Sequence, residues 1–279
     1  MRPLTLGIVP YYNMLPLIQG LDRFFSPDRW ISGTPRDLAG MLATGKIDVA
    51  AVSIFESLRC AAEYAIVPGA AIGSDGPVRS VSLFSKVRPS EVTNILLDRA
   101  SLSSANLMRV VAGEYLGVSP EYAVSDAPLT PDFDWHGAPQ DAFLVIGDTA
   151  LRWEKDFPYR LDLGSAWREL TGLPFVYAAW TVRAGLALSH SEASAFVVAR
   201  IQGEAAVTEI VEQVPAASLV AHGGAEAMRR YLSENIRYGL GERELRAIDL
   251  FRVKLIAAGL LPAGSPPLRF AAPLEAVAG

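Results

Sequence analysis

Cysteine is nearly missing from this chain: among 279 residues there is one, Cys60. A disulfide framework is thereby excluded, and so is a thiolate metal site built within the chain. Histidine is almost as scarce, and His136, His190 and His222 share no metal-ligand spacing, so each is expected at the surface. Positive charge is never gathered into a run, and the net charge is -5 with a pI near 5.3. Nucleic acid and anionic membrane surfaces are poor partners for such a chain. No stretch approaches the roughly 20 uninterrupted apolar residues that a membrane helix requires. Met1 to Pro10 is too short for a secretion leader and reads as a first strand, so a cytoplasmic location is the expectation. Also missing are a Gly-x-Ser-x-Gly elbow, a Walker loop and a dinucleotide fingerprint.

What the chain does have is a 51% hydrophobic composition and a regular alternation of strand-like and helix-like segments. That alternation favours parallel sheets with crossover helices. Leu4 to Val9 reads as a strand, with Asn13 as cap and Pro16 in the first turn of the helix after it. Thr34-Pro35-Arg36-Asp37 starts a helix that Gly45 ends, and Asp48 to Ile54 is a buried strand. Ser53 to Glu56 has capping-box spacing, so another helix is expected there. A second unit runs from the strand Val92 to Leu97 through Ser101, Ser103 and Ser104 into a helix closed by Gly117, and on to the strand Ala142 to Ile146. Val78 to Lys86 and Phe175 to Arg183 are extended, and they read as two connections between lobes. Ser189 with Glu192, and the stripe Leu245, Ile248, Phe251 and Leu255, predict long C-terminal helices.

Two α/β units joined by two crossings describe a bilobal binding architecture with the ligand in the cleft. Ligands of open sheets sit beyond the carboxyl ends of strands, where helix N-termini present free N–H groups. Asn13, Ser53, Ser103, Ser104 and the Gly147-Asp148 turn occupy such junctions, and Ser80 lies on a crossing beside them. Hydroxyls, an amide and backbone donors suit a carboxylate ligand. Asn13 reads equally well as an ordinary helix cap, and Ser53 reads more readily as a cap than as a ligand donor. Asp98 and Arg99 read as a solvated turn, and Trp167, Phe175, Tyr177 and Trp180 as core or cleft wall. From the residues alone the reading ends at a small anion bound in a cleft.

Several segments together resemble a known family: Tyr12-Asn13-Met14-Leu15-Pro16-Leu17, Gly76-Pro77-Val78-Arg79-Ser80-Val81, Leu144 to Leu151, Asp162-Leu163-Gly164, Trp167, Thr171 to Ala178 and Arg237-Tyr238. In this order they are similar to the chorismate dehydratases of the futalosine route to menaquinone. The resemblance implies a bilobal, periplasmic-binding-protein-like fold of type II. The lobes are expected at 1–84 with 178–279, and at 85–177, closing on the substrate. It implies a hydro-lyase without metal or cofactor, with chorismate as its small-molecule partner and Asn13 and Ser80 as the catalytic pair. Ser53, Ser103, Ser104, Gly147 through its N–H, and Asp148 are expected to bind the substrate. The sister family, the 1,4-dihydroxy-6-naphthoate synthases, carries a catalytic His where this chain has Gly147, which separates the two. The alternatives are such a synthase or a cytoplasmic small-anion binding protein without catalysis.

Overall fold

The computed structural model describes residues 3–154 and 156–272; the Ala-rich end of the tail, 273–279, lies outside them. The strands are β1 (Leu6–Ile8), β2 (Trp30–Ser32), β3 (Val49–Ser53), β4 (Tyr64–Ser74), β5 (Val81–Ser85), β6 (Asn94–Leu97), β7 (Glu121–Val124), β8 (Ala142–Ile146), β9 (Tyr159–Asp162), β10 (Phe175–Arg183) and β11 (Arg269–Phe270). They form one six-stranded sheet in the order β11-β4-β10-β3-β1-β2 and one five-stranded sheet in the order β7-β6-β8-β5-β9. Helices cover both, which gives the bilobal α/β architecture expected from the alternation. Central strands such as β3 and β5 are buried along their whole length, as strands covered on both faces should be.

The sheets are mixed rather than parallel. β1, β2 and β3 run parallel, as do β6, β7 and β8. β5 runs antiparallel to β8 and β9, and β10 antiparallel to β3 and β4. These are the two segments read from the sequence as bare crossings. Both are strands within a sheet, because a chain that has just crossed over enters the next sheet running backwards and finds open edges to pair with. β5 belongs to the second sheet, so the outward changeover lies between Ser74 and Val81, a few residues before the expected division at 84.

Helix boundaries follow the local chemistry. Thr34 with Asp37, and Ser189 with Glu192, each form a reciprocal capping box. The helix His190–Ala205 packs on the short helix Leu15–Ile18, and Gly203 makes this possible. A Cβ at Gly203 would fall 1.8 Å from the Pro16 carbonyl oxygen, so no larger residue fits without moving the segment that carries Asn13.

Candidate active site

A cleft of about 680 Å³ runs between the carboxyl ends of the two sheets. Its wall brings together Asn13, Ser53, Ser80, Ser103, Ser104 and Gly147, six of the seven residues expected there, with Ser101, Tyr11 and Tyr177 beside them. Asp148 is not part of that wall. Among the described residues the lining contains no Lys, Arg or His, so an anion there is met by neutral donors and helix ends.

Ser80 is held by its loop. The carboxylate of Asp162 caps the helix Leu163–Thr171 through the Ser165 N–H (2.9 Å) and also takes the N–H groups of Val78 (3.1 Å) and Arg79 (2.7 Å). Arg79 has φ 62, unusual for a residue with a side chain, and its guanidinium is tied to Glu154 at 2.6 Å. Such a conformation persists only where the surroundings enforce it. The enforced turn delivers Ser80 buried at the cleft, where its hydroxyl makes only a long 3.4 Å contact to the Val78 carbonyl.

The Gly147 N–H donates to the Ser80 carbonyl oxygen at 2.8 Å, so it is not free to hold an anion as expected. Gly147 contributes shape instead. At φ 63 its backbone passes under Tyr11, whose ring lies 3.4 Å from where a Cβ would stand.

Ser53 was readable as a cap, yet its side chain caps nothing. Its hydroxyl lies 2.7 Å from that of Ser103, which also donates to the Tyr177 carbonyl (2.7 Å) and accepts from the Phe55 N–H (3.2 Å). Ser103 has a single proton, and Tyr177 receives it. Ser53 must therefore donate to Ser103, and toward the cleft it is left with acceptor capacity only. Ser103 is thus a link between the second sheet's helix and the first sheet rather than a ligand donor.

Two residues earlier, the buried hydroxyl of Ser101 has no partner. It precedes the helix Ser103–Val111, whose N-cap is Leu102 with no side-chain cap. The first N–H groups of that helix and the Ser101 hydroxyl form an open donor set. Asn13 is no cap either; it sits in the 3-10 turn Tyr12–Met14 that links β1 to the next helix.

Electrostatically the surroundings are strained. Burial raises the Asp148 carboxyl from 3.8 to about 6, partly offset by the Tyr12 N–H and Arg152, and one of its oxygens has no partner. Asp98 is buried rather than solvated, and desolvation lifts it to about 6 although it accepts from the N–H groups of Ala100 (2.8 Å) and Leu129 (3.3 Å). Tyr11, half-buried near both, is pushed up to about 12 by desolvation first and then by the charges of Asp98 and Asp148. His222, expected at the surface, is buried edge-on against Tyr12 with Nδ1 2.6 Å from the Ser218 carbonyl, and burial lowers its pKa. Among the described residues no cluster of His, Cys, Asp and Glu could hold a metal, and no helix is long and apolar enough to cross a membrane.

Comparison with known proteins identifies the family and the fold. Residues 4–256 match a family described as menaquinone biosynthesis. A chorismate dehydratase from Thermus thermophilus is 27% identical over 270 residues, covering 90% of this chain and 94% of its own length. A solved structure from Archaeoglobus fulgidus superposes with a TM-score of 0.66 at 15% identity, over 93% of this chain and 98% of that one. The periplasmic aliphatic sulphonate binding protein of Escherichia coli gives 0.62 at 14% identity, over 97% and 94%. At such identities the structural matches speak for the fold: it is that of the periplasmic binding proteins.

Proposed function

Because the chain belongs to the menaquinone biosynthesis family, we propose that it is a chorismate dehydratase, converting chorismate to 3-[(1-carboxyvinyl)oxy]benzoate and water. The observation that carries this reading is the convergence of Asn13 and Ser80 on one cleft whose far wall offers the unpartnered Ser101 hydroxyl and an uncapped helix start. The similarity to the dehydratase of Thermus thermophilus supports the same substrate.

Chorismate is a dianion with one hydroxyl. Its ring hydrogen on the ether-bearing carbon is vinylogous to the ring carboxylate, so the electrons of the breaking C–H bond delocalise into that carboxylate. The neighbouring C–O bond then breaks, its electron pair leaves with the hydroxyl, and a proton taken up there completes water. The new ring double bond makes the product aromatic. With that driving force the protein must chiefly orient the substrate and stabilise charge. The substrate's enolpyruvyl carboxylate receives the ring proton. Asn13 and Ser80 hydrogen-bond the reacting hydroxyl and the carboxylate beside it. Ser101, Ser104 and the helix start hold the remaining carboxylate. Ser53, limited to accepting, serves a hydroxyl rather than an anion. Closure of the lobes over the substrate excludes water.

The test is to incubate purified protein with chorismate and follow the enolpyruvyl benzoate by chromatography. Turnover is expected, with Asn13→Ala and Ser80→Ala each lowering kcat about 100-fold or more. Binding of chorismate without turnover in the wild type would defeat the dehydratase reading.

A further inference from the structure

Tyr231 lies far along the chain from any residue so far assigned to the cleft. It opens a π-helical turn, Tyr231–Asn235, that continues the helix Ala225–Arg230. Such turns are uncommon and recur at functional sites. This one is pinned on both sides of the loop that carries Ser80. Asn235 donates to the Pro77 carbonyl at 3.0 Å, and Arg237 exchanges two main-chain hydrogen bonds of 2.8 Å with Gly73. Ile236, between those anchors, lines the cleft.

The Tyr231 side chain is almost fully buried, and its hydroxyl has no hydrogen-bond partner. The groups facing that hydroxyl are the side chains of Ser80 and Asn13, near enough to act on its ionisation as hydrogen-bond partners but short of well-formed bonds. A buried phenol normally finds a partner, and leaving one without carries a desolvation cost. Burial also pushes its pKa upward, the nearby Ser80 and Asn13 side chains offsetting part of the rise and the charge of Asp148 adding to it, so the hydroxyl keeps its proton as a donor.

We propose that Tyr231 is a positioning residue of this site: in the substrate-bound cleft its hydroxyl hydrogen-bonds Asn13 and Ser80 together and fixes their orientation toward the reacting hydroxyl. The proposal rests on the dehydratase reading and names a third residue through which it works. A buried hydroxyl with no well-formed bond in the free cleft adds little to stability there. Its removal should therefore be felt in turnover and not in folding.

The experiment compares the wild type, Tyr231→Phe and Tyr64→Phe with chorismate as substrate. Tyr64 is a control of the same kind, a buried tyrosine whose hydroxyl also lacks a partner but whose neighbours are Cys60, Glu56, Glu63 and Arg59 rather than Ser80 and Asn13. The expected result is a kcat lowered at least about tenfold in Tyr231→Phe, the worth of one oriented hydrogen bond, with KM within about twofold and Tm unchanged or raised. Tyr64→Phe should keep the wild-type kcat. Full turnover by Tyr231→Phe would overturn the proposal, as would a loss accompanied by a matching fall in Tm. A wild type that does not convert chorismate would instead remove the dehydratase reading, and this proposal with it.

Discussion

Ser101 and Ser103 stand two residues apart on one turn, and they divide the cleft into two kinds of wall. Around Ser103 every hydrogen bond is committed within the protein: Phe55, Ser53 and Tyr177 all meet its one hydroxyl. Around Ser101, and opposite it at Ser80 and at Tyr231 behind it, polar atoms are buried with weak partners or none. Buried polar groups are ordinarily satisfied, so the second wall keeps a cost that only a ligand can offset. The difference separates scaffold from ligand surface without reference to residue type, since both walls are made largely of serine.

The sharpest way to break this comparison is to remove the scaffold serine. Ser103→Ala would leave the Phe55 N–H, the Ser53 hydroxyl and the Tyr177 carbonyl without their shared partner. Each such group costs on the order of 1–3 kcal/mol when buried, and part of that is recovered by relaxation. A stability loss of about 3 kcal/mol is expected in chemical denaturation, with activity falling because Ser53 is no longer held. An undiminished stability would mean that the Ser103 wall is not scaffold after all.

The divide was only partly legible in the sequence. Asn13 stood out because strand-to-helix junctions are where parallel-sheet ligands bind, Ser80 because it lies on a crossing beside those junctions, and the segments of both resemble family motifs. Capping boxes at Thr34 and Ser189 were local and held. Ser53 had the same local spacing, but its hydroxyl is claimed by Ser103 from the other sheet, fifty residues away in sequence. Asp98 looked like a solvated turn residue because the Leu129 N–H that helps to bury it comes from a distant loop. Tyr231 carried no signal at all, since its neighbours Asn13 and Ser80 are brought to it only by the tertiary fold. Local pattern found the positions of the junctions; the long-range hydrogen bonds decided what each one does.

Asp148, outside the cleft wall but next to Gly147 on it, tests the cost of uncommitted burial through pH. Its carboxyl titrates near 6 in the fold against 3.8 ordinarily, because burial disfavours the charge. Below about pH 4 both folded and unfolded chains hold the proton and no penalty exists; above about pH 6 both are ionised and the penalty is complete. Stability from this group therefore rises as pH falls from 6 toward 4, and Asp98, raised to about 6, acts in the same direction. Asp148→Asn should stabilise the protein at pH 7 by on the order of 2 kcal/mol and add nothing at pH 4. The Asp98 contribution would remain as a shallower slope. A loss of stability at pH 7 would show that the charge is well paired in the fold.

Ser101→Ala gives the smallest effect and the finest discrimination, because it differs from Ser103→Ala by two positions and should differ in sign. Its hydroxyl has no partner in the free cleft, so deleting it removes a buried polar atom without breaking a bond. The change should leave Tm unchanged or slightly higher. In the substrate complex the same deletion takes away one donor from the carboxylate, and KM for chorismate should rise about tenfold, the worth of one hydrogen bond to a charged group. Because the lost contact is to a carboxylate that does not react, kcat should stay within about twofold. A fall in kcat with KM unchanged would carry Ser101 from the binding wall to the reacting centre, and a fall in Tm would make it a second scaffold serine.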